Sequence, residues 1–216
     1  AQSAVGSIAG IDYGMGNLRS VWQALVHVAD GRDVVVTADP AVVAAAERVV
    51  FPGQGAMADC MRALDARGLR QVVLETARTK PFLGICIGLQ MLFEHSDEGD
   101  VSGLGVFAGN VRRFAAERMV NASGEKLKVP HMGWNEVRQI RQHPLWTGIP
   151  DGARFYFVHS YCVTPDDADC IAGMTDYGTP FTSVVARDNI FAIQCHPEKS
   201  AKAGLALLSN FLQWKP

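Results

Sequence analysis

The chain has 216 residues, of which 48% are hydrophobic and 19% are charged, and its formal net charge is −2 at pH 7. This length and composition can bury the core of one large domain, and the near-neutral charge gives no basic field that would attract nucleic acid or an anionic membrane. The apolar runs are short, because Asp39, Pro40, Glu47 and Arg48 interrupt the most hydrophobic of them, so we expect no bilayer-spanning segment.

Cysteine usage bounds the redox environment and the metal chemistry. The five cysteines are odd in number, widely spaced and never form a CxxC pair, which is atypical of a disulfide framework or a structural zinc site. The first residues lack the basic start of a secretory signal peptide. We therefore expect a soluble cytoplasmic protein without a metal site.

One glycine pattern invites a cofactor interpretation. Gly14-Met15-Gly16 follows a predicted strand, but the third glycine of a dinucleotide fingerprint would fall at position 19, where Arg19 stands. We interpret the pattern as a tight turn into a helix and expect no cofactor.

Strands and helices alternate in the first half of the chain, which is typical of a parallel sheet covered on both faces. Hydrophobic runs predict strands over 7–13, 33–37, 48–51 and 81–85. Helices are predicted over 18–28, after the Asp39-Pro40 cap, over 56–66 and 69–78, and after Cys86.

The second half is richer in strands. Strands are predicted over 106–114, 134–140, 154–163, 170–175, 181–187 and 190–195, with a hairpin turn at 187–189. A helix with an apolar face formed by Leu205, Leu208, Phe211 and Leu212 closes the chain. We predict one α/β domain over 1–216, with a mostly parallel central sheet flanked by helices and antiparallel strands in its C-terminal half.

A cysteine between two glycines marks the first candidate site. Cys86 lies at the corner where a buried strand turns into a helix, and Gly84 and Gly88 remove side chains that would crowd a sharp turn. The start of the helix favours a sulfur anion, and the backbone N–H of Ile87 can meet an oxyanion on a bound acyl group. The alternative is that Cys86 only fills core.

A base for that cysteine is offered by the segment IQCHPEKS. Along an extended chain, side chains two apart share a face, so His196 and Glu198 are predicted to point the same way, with Cys195 on the other side. A carboxylate that orients an imidazole, and an imidazole that takes a proton from a thiol, form a Cys-His-Glu triad. Taken alone, the segment is more typical of a surface His-Pro-Glu turn.

Two further patterns lie near predicted strand ends. In FPGQG, the glycines allow the backbone N–H groups of Gly53 and Gln54 to approach a ligand as a second oxyanion donor, although an ordinary glycine-rich loop has the same pattern. His131 and His159 stand among aromatic residues, where packing and function are both open.

Taken together, these residues resemble the class I glutamine amidotransferases. Gly84-x-Cys86-x-Gly88-x-Gln90 is similar to the nucleophile motif of that family, and His196-Pro197-Glu198 to its base and orienting carboxylate. The stretches at 11–21, 130–135 and 155–161 look like the glutaminase subunits of imidazole glycerol phosphate synthases, and the resemblance covers nearly the whole chain.

The resemblance implies a glutaminase with a partner. Cys86 would attack the side-chain amide of L-glutamine, His196 and Glu198 would move protons, and Ile87 with the Gly53–Gln54 loop would stabilise the oxyanion. The resemblance further implies glutamine-binding residues and residues at the partner interface or ammonia passage: Gln90, Ser160 and Tyr161 for glutamine, and Trp134, Asn135, Tyr156 and Lys199 for the interface. The ammonia would pass to a (β/α)₈-barrel cyclase that makes imidazole glycerol phosphate and aminoimidazole carboxamide ribotide in histidine biosynthesis.

One position departs from the family pattern, and three alternatives remain open. Gln54 stands where relatives often carry valine, in a loop whose flip is thought to couple partner occupancy to activity. The first alternative is the glutaminase subunit of another ammonia-using synthase. The second is a hydrolase that works alone on γ-glutamyl compounds or small esters. The third is a regulatory subunit that binds glutamine without turning it over.

Overall fold

A computed structural model describes residues 4–15, 18–115 and 120–216 of the chain, with the side chains of Ala4 and Val5 left out. Gly16, the last residue of the predicted glycine turn, lies outside these ranges. The helices of the described part are α1 (Leu18–Val28), α2 (Pro40–Ala45), α3 (Met57–Ala66), α4 (Arg70–Thr79), α5 (Ile87–Met91) and α6 (Ala201–Gln213).

Strands alternate with helices in the first half of the chain and are the main element of the second half. They are β1 (Ala4–Ile11), β2 (Val34–Thr37), β3 (Ala46–Phe51), β4 (Phe82–Ile85), β5 (Phe93–Ser96), β6 (Val101–Ser102), β7 (Phe107–Arg113), β8 (His131–Glu136), β9 (Arg138–Gln139), β10 (Arg154–His159), β11 (Tyr161–Pro165), β12 (Ile171–Asp176), β13 (Pro180–Arg187) and β14 (Ile190–Ile193).

Twelve strands of the described part form one mixed sheet. Its main path runs β2-β1-β3-β4-β14-β13-β11-β7-β5-β6, with β12 beside β13 and β9 beside β12. The segment from β2 to β14 is parallel, whereas the joins made by β13, β11 and β12 are antiparallel. Strands β8 and β10 form a separate antiparallel pair. The predicted fold class is therefore confirmed.

The structure confirms several predictions that rest on short sequence patterns. Asp39 caps α2 by accepting a hydrogen bond from the N–H of Ala41 at 2.9 Å. The turn between β13 and β14 is a hairpin in which Arg187 pairs with Ile190. Helix α1 buries Val21 and Leu25, but Trp22 is 39% exposed, so the predicted apolar face is narrower than the pattern suggested.

Other predicted boundaries are wrong. The strand predicted over 154–163 is two strands, because the chain leaves the β8–β10 pair at Ser160 and joins the main sheet as β11. The strand predicted over 134–140 begins earlier, at His131, and breaks after Glu136. Strands β5 and β6 were not predicted.

The parallel pairing of β4 with β14 assembles the site. Ile85 pairs with Ile193 at the carboxyl ends of these strands, and the N–H of Cys86 donates to the carbonyl of Ile193 at 2.8 Å. Residues 194–196 therefore emerge beside Cys86 although they lie over a hundred positions away in the chain. In the described part, every helix is too short or too polar to cross a bilayer.

Candidate active site

The cysteine corner has the strained backbone that the sequence predicted. Cys86 has φ 55° and ψ −115°, a conformation that costs a non-glycine residue about 1–3 kcal/mol and is found at functional sites. A side chain at Gly88 would place its Cβ 2.0 Å from the carbonyl oxygen of Phe51. Glycine at 88 therefore lets α5 begin directly against the end of β3, with Cys86 at the tip of the turn.

The loop after β3 packs against this corner. A Cβ on Gly53 would lie 2.6 Å from the Tyr13 hydroxyl and 3.0 Å from the backbone nitrogen of Gly88. The N–H groups of Leu89 and Gln90 donate to the Cys86 carbonyl at the start of α5, whereas that of Ile87, the first residue of the helix, comes too early in the helix to have an acceptor within it. The predicted oxyanion residues Gly53, Gln54 and Ile87 are thus neighbours, and their role as donors remains a prediction.

Two buried side chains fix the carbonyls of that loop. The Tyr13 hydroxyl donates to the Pro52 carbonyl at 2.7 Å, and the Cys60 thiol donates to the Gln54 carbonyl at 3.2 Å. Burial raises the pKa of Tyr13 well above its usual value and that of Cys60 to about 11. Both groups therefore stay protonated and keep donating at neutral pH.

The imidazole of His196 contacts the carboxylate of Glu198, as predicted, but by a different local structure. His196 Nδ1 lies 2.7 Å from Glu198 Oε1, and the two side chains are only 5% and 4% exposed. The segment is not extended, because a 3₁₀ turn over Pro197–Lys199 folds Glu198 back onto His196. The hydroxyl of Ser200 holds this turn by donating to the carbonyl of His196.

Electrostatics favour a charged imidazole. Burial alone would lower the pKa of His196, but the Cys86 sulfur and the Glu198 carboxylate together raise it to about 10. The Nε2 atom of His196 nevertheless makes no hydrogen bond of standard geometry to the described residues. Hydrogen bonds between catalytic groups are often long before substrate binds, so this nitrogen remains the candidate for proton exchange with the sulfur.

A cavity of about 290 Å³ opens over this corner. Seven of the predicted catalytic, oxyanion and glutamine-binding residues line it: Gln54, Cys86, Ile87, Gln90, Ser160, Tyr161 and His196. Five other residues complete the lining: Gly55, Glu98, Pro130, Val158 and His159. Glu198 and Gly53 lie behind the cavity, beside a smaller gap next to His196. A larger open cavity of about 760 Å³ lies at the amino ends of β4 and β14, and its walls contain none of the predicted site residues.

Tyr161 contributes its carbonyl to a buried polar network. Gln90 Nε2 donates to that carbonyl at 3.2 Å and to Gln194 Oε1 at 3.0 Å. His159 Nδ1 donates to the same carbonyl at 2.8 Å. The Tyr161 carbonyl is thereby occupied by protein groups, so a ligand would meet other atoms of this segment.

His131 and His159 form a neutral pair inside an aromatic cluster. His131 Nδ1 lies 2.9 Å from His159 Nε2, and the rings pack against Phe114, Phe157, Tyr177 and Phe181. Burial lowers the pKa of His131 to about 4 and that of His159 to about 3. Since His159 Nδ1 donates to a carbonyl, its Nε2 must accept from His131, which fixes both tautomers.

The four predicted interface residues do not all share one face. Trp134 and Tyr156 are cross-strand neighbours whose ring centroids lie 6.2 Å apart, and Trp134 is 50% exposed. Lys199 is also exposed. Asn135 points to the other side of β8, where its Nδ2 lies 3.2 Å from His131 Nε2 and 2.8 Å from the Asp176 carbonyl.

Three residues of the site were not predicted from the sequence. Gln194 contacts the Cys86 sulfur, Glu98 lines the cavity, and Ser200 holds the histidine turn. Only Gln194 had a usable signal, since it is a polar residue at the end of an apolar strand and two positions before the predicted base.

Comparison with known proteins defines the class first. The family model described as glutamine amidotransferase class-I matches residues 9–214, and the chain belongs to that family. Two solved structures share the fold at low sequence identity. One is described as a glutamine amidotransferase, with a TM-score of 0.70, 16% identity and coverage of 95% of this chain and 97% of that one. The other is a glutamine amidotransferase from Thermotoga maritima, with a TM-score of 0.60, 16% identity and coverage of 91% and 78%.

Curated relatives narrow the class further. The chain is 70% identical over 210 residues to the imidazole glycerol phosphate synthase subunit HisH of Dechloromonas aromatica, with 97% of each chain covered. It is 68% identical over 209 residues to the protein of the same name from Aromatoleum aromaticum, covering 97% of this chain and 99% of that one. The resemblance drawn from the motifs is therefore confirmed.

Proposed function

We propose that this chain is the glutaminase subunit of an imidazole glycerol phosphate synthase, hydrolysing L-glutamine to L-glutamate and ammonia. The observation that carries the proposal is the strained Cys86 sharing one cavity with His196, whose imidazole is oriented by Glu198. A buried, charged imidazole beside a sulfur stabilises the thiolate, which is the reactive form of cysteine.

The first half of the reaction forms a thioester. The Cys86 sulfur attacks the γ-amide carbon of glutamine, and the carbonyl oxygen becomes an oxyanion that Ile87 and the Gly53–Gln54 loop stabilise. When this tetrahedral intermediate collapses, the C–N bond breaks and His196 gives its proton to the leaving nitrogen. Ammonia departs and the γ-glutamyl group stays on the sulfur.

The second half restores the enzyme. Neutral His196 takes a proton from a water molecule, whose oxygen attacks the thioester carbon. The C–S bond then breaks, which regenerates the thiolate beside the imidazolium, and the new γ-carboxyl group releases its remaining proton to solvent as glutamate leaves. Glu198 remains a carboxylate throughout and holds the imidazole in the tautomer that exposes Nε2 to the reaction.

The cavity offers groups suited to the polar ends of glutamine. Both hydrogens of the Gln90 side-chain nitrogen are committed to Tyr161 and Gln194, so Gln90 can only accept from a ligand, through Oε1. Ser160 and Tyr161 line the same cavity. Glu98 places a carboxylate in the same cavity and is suited to the α-ammonium group.

The proposed partner is a (β/α)₈-barrel cyclase, forming a cytoplasmic heterodimer with this chain. Residues 1–216 act as one glutaminase domain in that assembly. The exposed face with Trp134, Tyr156 and Lys199, together with Asn135, meets the cyclase, and ammonia passes there to give imidazole glycerol phosphate and aminoimidazole carboxamide ribotide. A chain that works at full rate alone would instead favour an independent hydrolase.

Mutation of the corner tests the proposal. In the presence of the cyclase and its nucleotide, Cys86→Ser is expected to lower glutamate release by at least about 10³-fold, since a serine hydroxyl is a poor nucleophile here. The control is Cys195→Ser, which changes a neighbouring buried cysteine and should stay active. A diazo-oxo-norleucine probe should label Cys86 alone. Full activity in Cys86→Ser would refute the proposal.

A further inference from the structure

Two buried glutamine side chains form a hydrogen-bonded series from the backbone carbonyl of Tyr161 to the sulfur of Cys86. Gln90 Nε2 lies 3.2 Å from the Tyr161 carbonyl and 3.0 Å from Gln194 Oε1. Gln194 Nε2 in turn lies 3.7 Å from Cys86 Sγ, within the range of hydrogen bonds to sulfur. Gln90 is 1% exposed and Gln194 is 0% exposed.

The carbonyl of Tyr161 determines which group donates in each of these hydrogen bonds. A backbone carbonyl can only accept, so Gln90 must turn its NH₂ group towards Tyr161. That group donates its second hydrogen to Gln194 Oε1, which leaves the NH₂ group of Gln194 facing the sulfur. Flipping the Gln194 amide would set two donors against each other in a site without access to water, which buried polar groups avoid.

The backbone around Gln194 makes this contact rigid. Directly after β14 ends at Ile193, the N–H of Gln194 donates to the carbonyl of Ser183, a residue of β13, at 2.9 Å. The N–H of Cys86 donates a hydrogen bond to the carbonyl of Ile193, the residue before Gln194, at 2.8 Å. Both ends of the contact are therefore fixed by the sheet.

We propose that Gln194 is a further functional residue of this site, donating a hydrogen bond to the Cys86 sulfur anion and locking the side-chain amide of Gln90. This inference rests on the glutaminase function proposed above. A hydrogen bond to an ionised acceptor is stronger than one to a neutral acceptor, so the contact stabilises the thiolate more than the thiol or the thioester. By holding Gln90, the same side chain keeps the Gln90 Oε1 atom directed at the substrate.

Replacement of Gln194 by methionine tests both effects, since methionine has a similar volume but neither donates nor accepts strongly. The first measurement is the rate at which iodoacetamide modifies Cys86, followed by peptide mass spectrometry across pH. At pH 7 we expect Gln194→Met to react at least about tenfold more slowly, with a more alkaline midpoint, as a strong bond to a charged group implies. In the complex with the cyclase, we also expect a higher KM for glutamine.

The control is Gln139→Met, which removes a side-chain hydrogen bond from β9 to the Ile149 carbonyl, away from this site. It should match the unmodified chain in both measurements. A merely structural loss would lower the thermal unfolding midpoint and expose other cysteines without moving the pH midpoint of Cys86 modification. Equal rates and midpoints for Gln194→Met and the unmodified chain would overturn the inference.

Gln194→Glu keeps the side-chain shape and the acceptor for Gln90, and covers the case in which the methionine variant does not fold. Burial and the nearby sulfur raise the pKa of a carboxyl group at this position, so modification is compared at pH 9.5, where the ionised carboxylate repels the thiolate and we expect Cys86 to react more slowly than in the unmodified chain. An unchanged modification rate would contradict the inference. Modification needs no glutamine, so failure of the proposed function shows separately, as absent glutamate release by the unmodified chain with its cyclase.

Discussion

At the residue scale, the surroundings of the five cysteines differ, and these differences determine which thiol is reactive. Burial raises the pKa of Cys60 and Cys162 to about 11, and it raises that of Cys195 well above the usual value, helped by the nearby Glu198 charge. These thiols remain protonated at neutral pH. Cys86 instead lies beside the imidazole of His196, so chemistry is directed to one cysteine by its neighbours rather than by residue type.

The carboxylate of Glu198 is the group on which the imidazole depends. Glu198→Gln removes its charge but keeps the shape, so the His196 imidazolium loses stabilisation and its tautomer is no longer fixed. We expect kcat for glutamine hydrolysis to fall about 10²- to 10⁴-fold, with a smaller change in KM. Steady-state assays with the cyclase present measure both. A kcat within a factor of two of the unmodified chain would contradict this role.

Buried neutral histidines make the fold sensitive to acid. The pKa values of His131 and His143 fall to about 4 and that of His159 to about 3 because of burial, below the unfolded value of about 6.5. As pH falls from 6.5 towards 4, the unfolded chain gains protons that the folded chain does not bind. Each such histidine then lowers the free energy of unfolding by about 1.4 kcal/mol per pH unit.

The measurement is denaturant unfolding at several pH values between 7 and 5. His131→Asn should reduce the acid slope by about one proton, whereas Gln23→Asn, at an exposed position without a titrating side chain, should leave it unchanged. His196 does not contribute in this window, because its pKa is raised to about 10 and the stability it adds is lost only above pH 6.5. A slope unaltered by His131→Asn would show that the buried pair does not titrate as described.

At the element scale, the sequence predicted those elements that carry their own local signal. The alternation up to β4, the Asp39 cap and the 187–189 hairpin all come from short-range patterns, and all are present. The break at Ser160 was missed because it depends on β10 pairing with β8 and β11 pairing with β7, which no local pattern reveals. Strand β5 was missed because its sequence, FEHS, is polar and short.

In the candidate site, too, local sequence patterns predict individual residues but not the contacts between distant parts of the chain. Cys86, His196 and Glu198 could be predicted as candidates because glycine spacing and a His-x-Glu pattern are local signals, and the structure brings Cys86 and His196 to one cavity, with Glu198 against His196. The extended segment predicted for His196 and Glu198 is wrong, because a 3₁₀ turn brings the two side chains together. Gln194 was missed because its role depends on Gln90, 104 positions away.

The close approach of α5 to β3 gives a prediction at this scale. Gly88→Ala would set a Cβ 2.0 Å from the Phe51 carbonyl oxygen, so the helix or the strand end must move. We expect a loss of about 1–3 kcal/mol in unfolding free energy and at least tenfold in kcat, measured by denaturant unfolding and glutaminase assay. Gly10→Ala is the matched control, because its Cβ would meet only ordinary contacts at 3.7 Å.

If Gly88→Ala keeps the kcat of the unmodified chain, the spacing between the corner and the loop is not critical. If Gly10→Ala is as harmful as Gly88→Ala, the effect comes from added volume in the sheet and not from this corner.

At the scale of the whole molecule, an apolar face lies beside the site. Met132 is 62% exposed and Trp134 is 50% exposed, and Tyr156, which pairs with Trp134, accepts the backbone hydrogen bond of His196 at 2.9 Å. Exposed aromatic residues of this kind anchor protein interfaces. A partner seated here would contact β10, the strand to which the backbone of His196 is hydrogen-bonded.

Trp134→Ala tests this face. Loss of an interface anchor typically costs at least about 2 kcal/mol, so we expect the dissociation constant for the cyclase to rise about thirtyfold, measured by titration calorimetry. Ile140→Ala removes an equally exposed residue from the far end of the β8–β9 segment and should bind normally. Equal affinity for both variants would place the partner elsewhere.

The most direct test follows the nitrogen atom. Glutamine labelled with ¹⁵N in its amide is supplied to the chain with its cyclase and nucleotide, in an excess of unlabelled ammonium, and the imidazole product is examined by mass spectrometry. The account predicts a product that carries ¹⁵N with the unmodified chain and loses the label with Cys86→Ser. A product whose nitrogen comes from the unlabelled pool in both cases would contradict it.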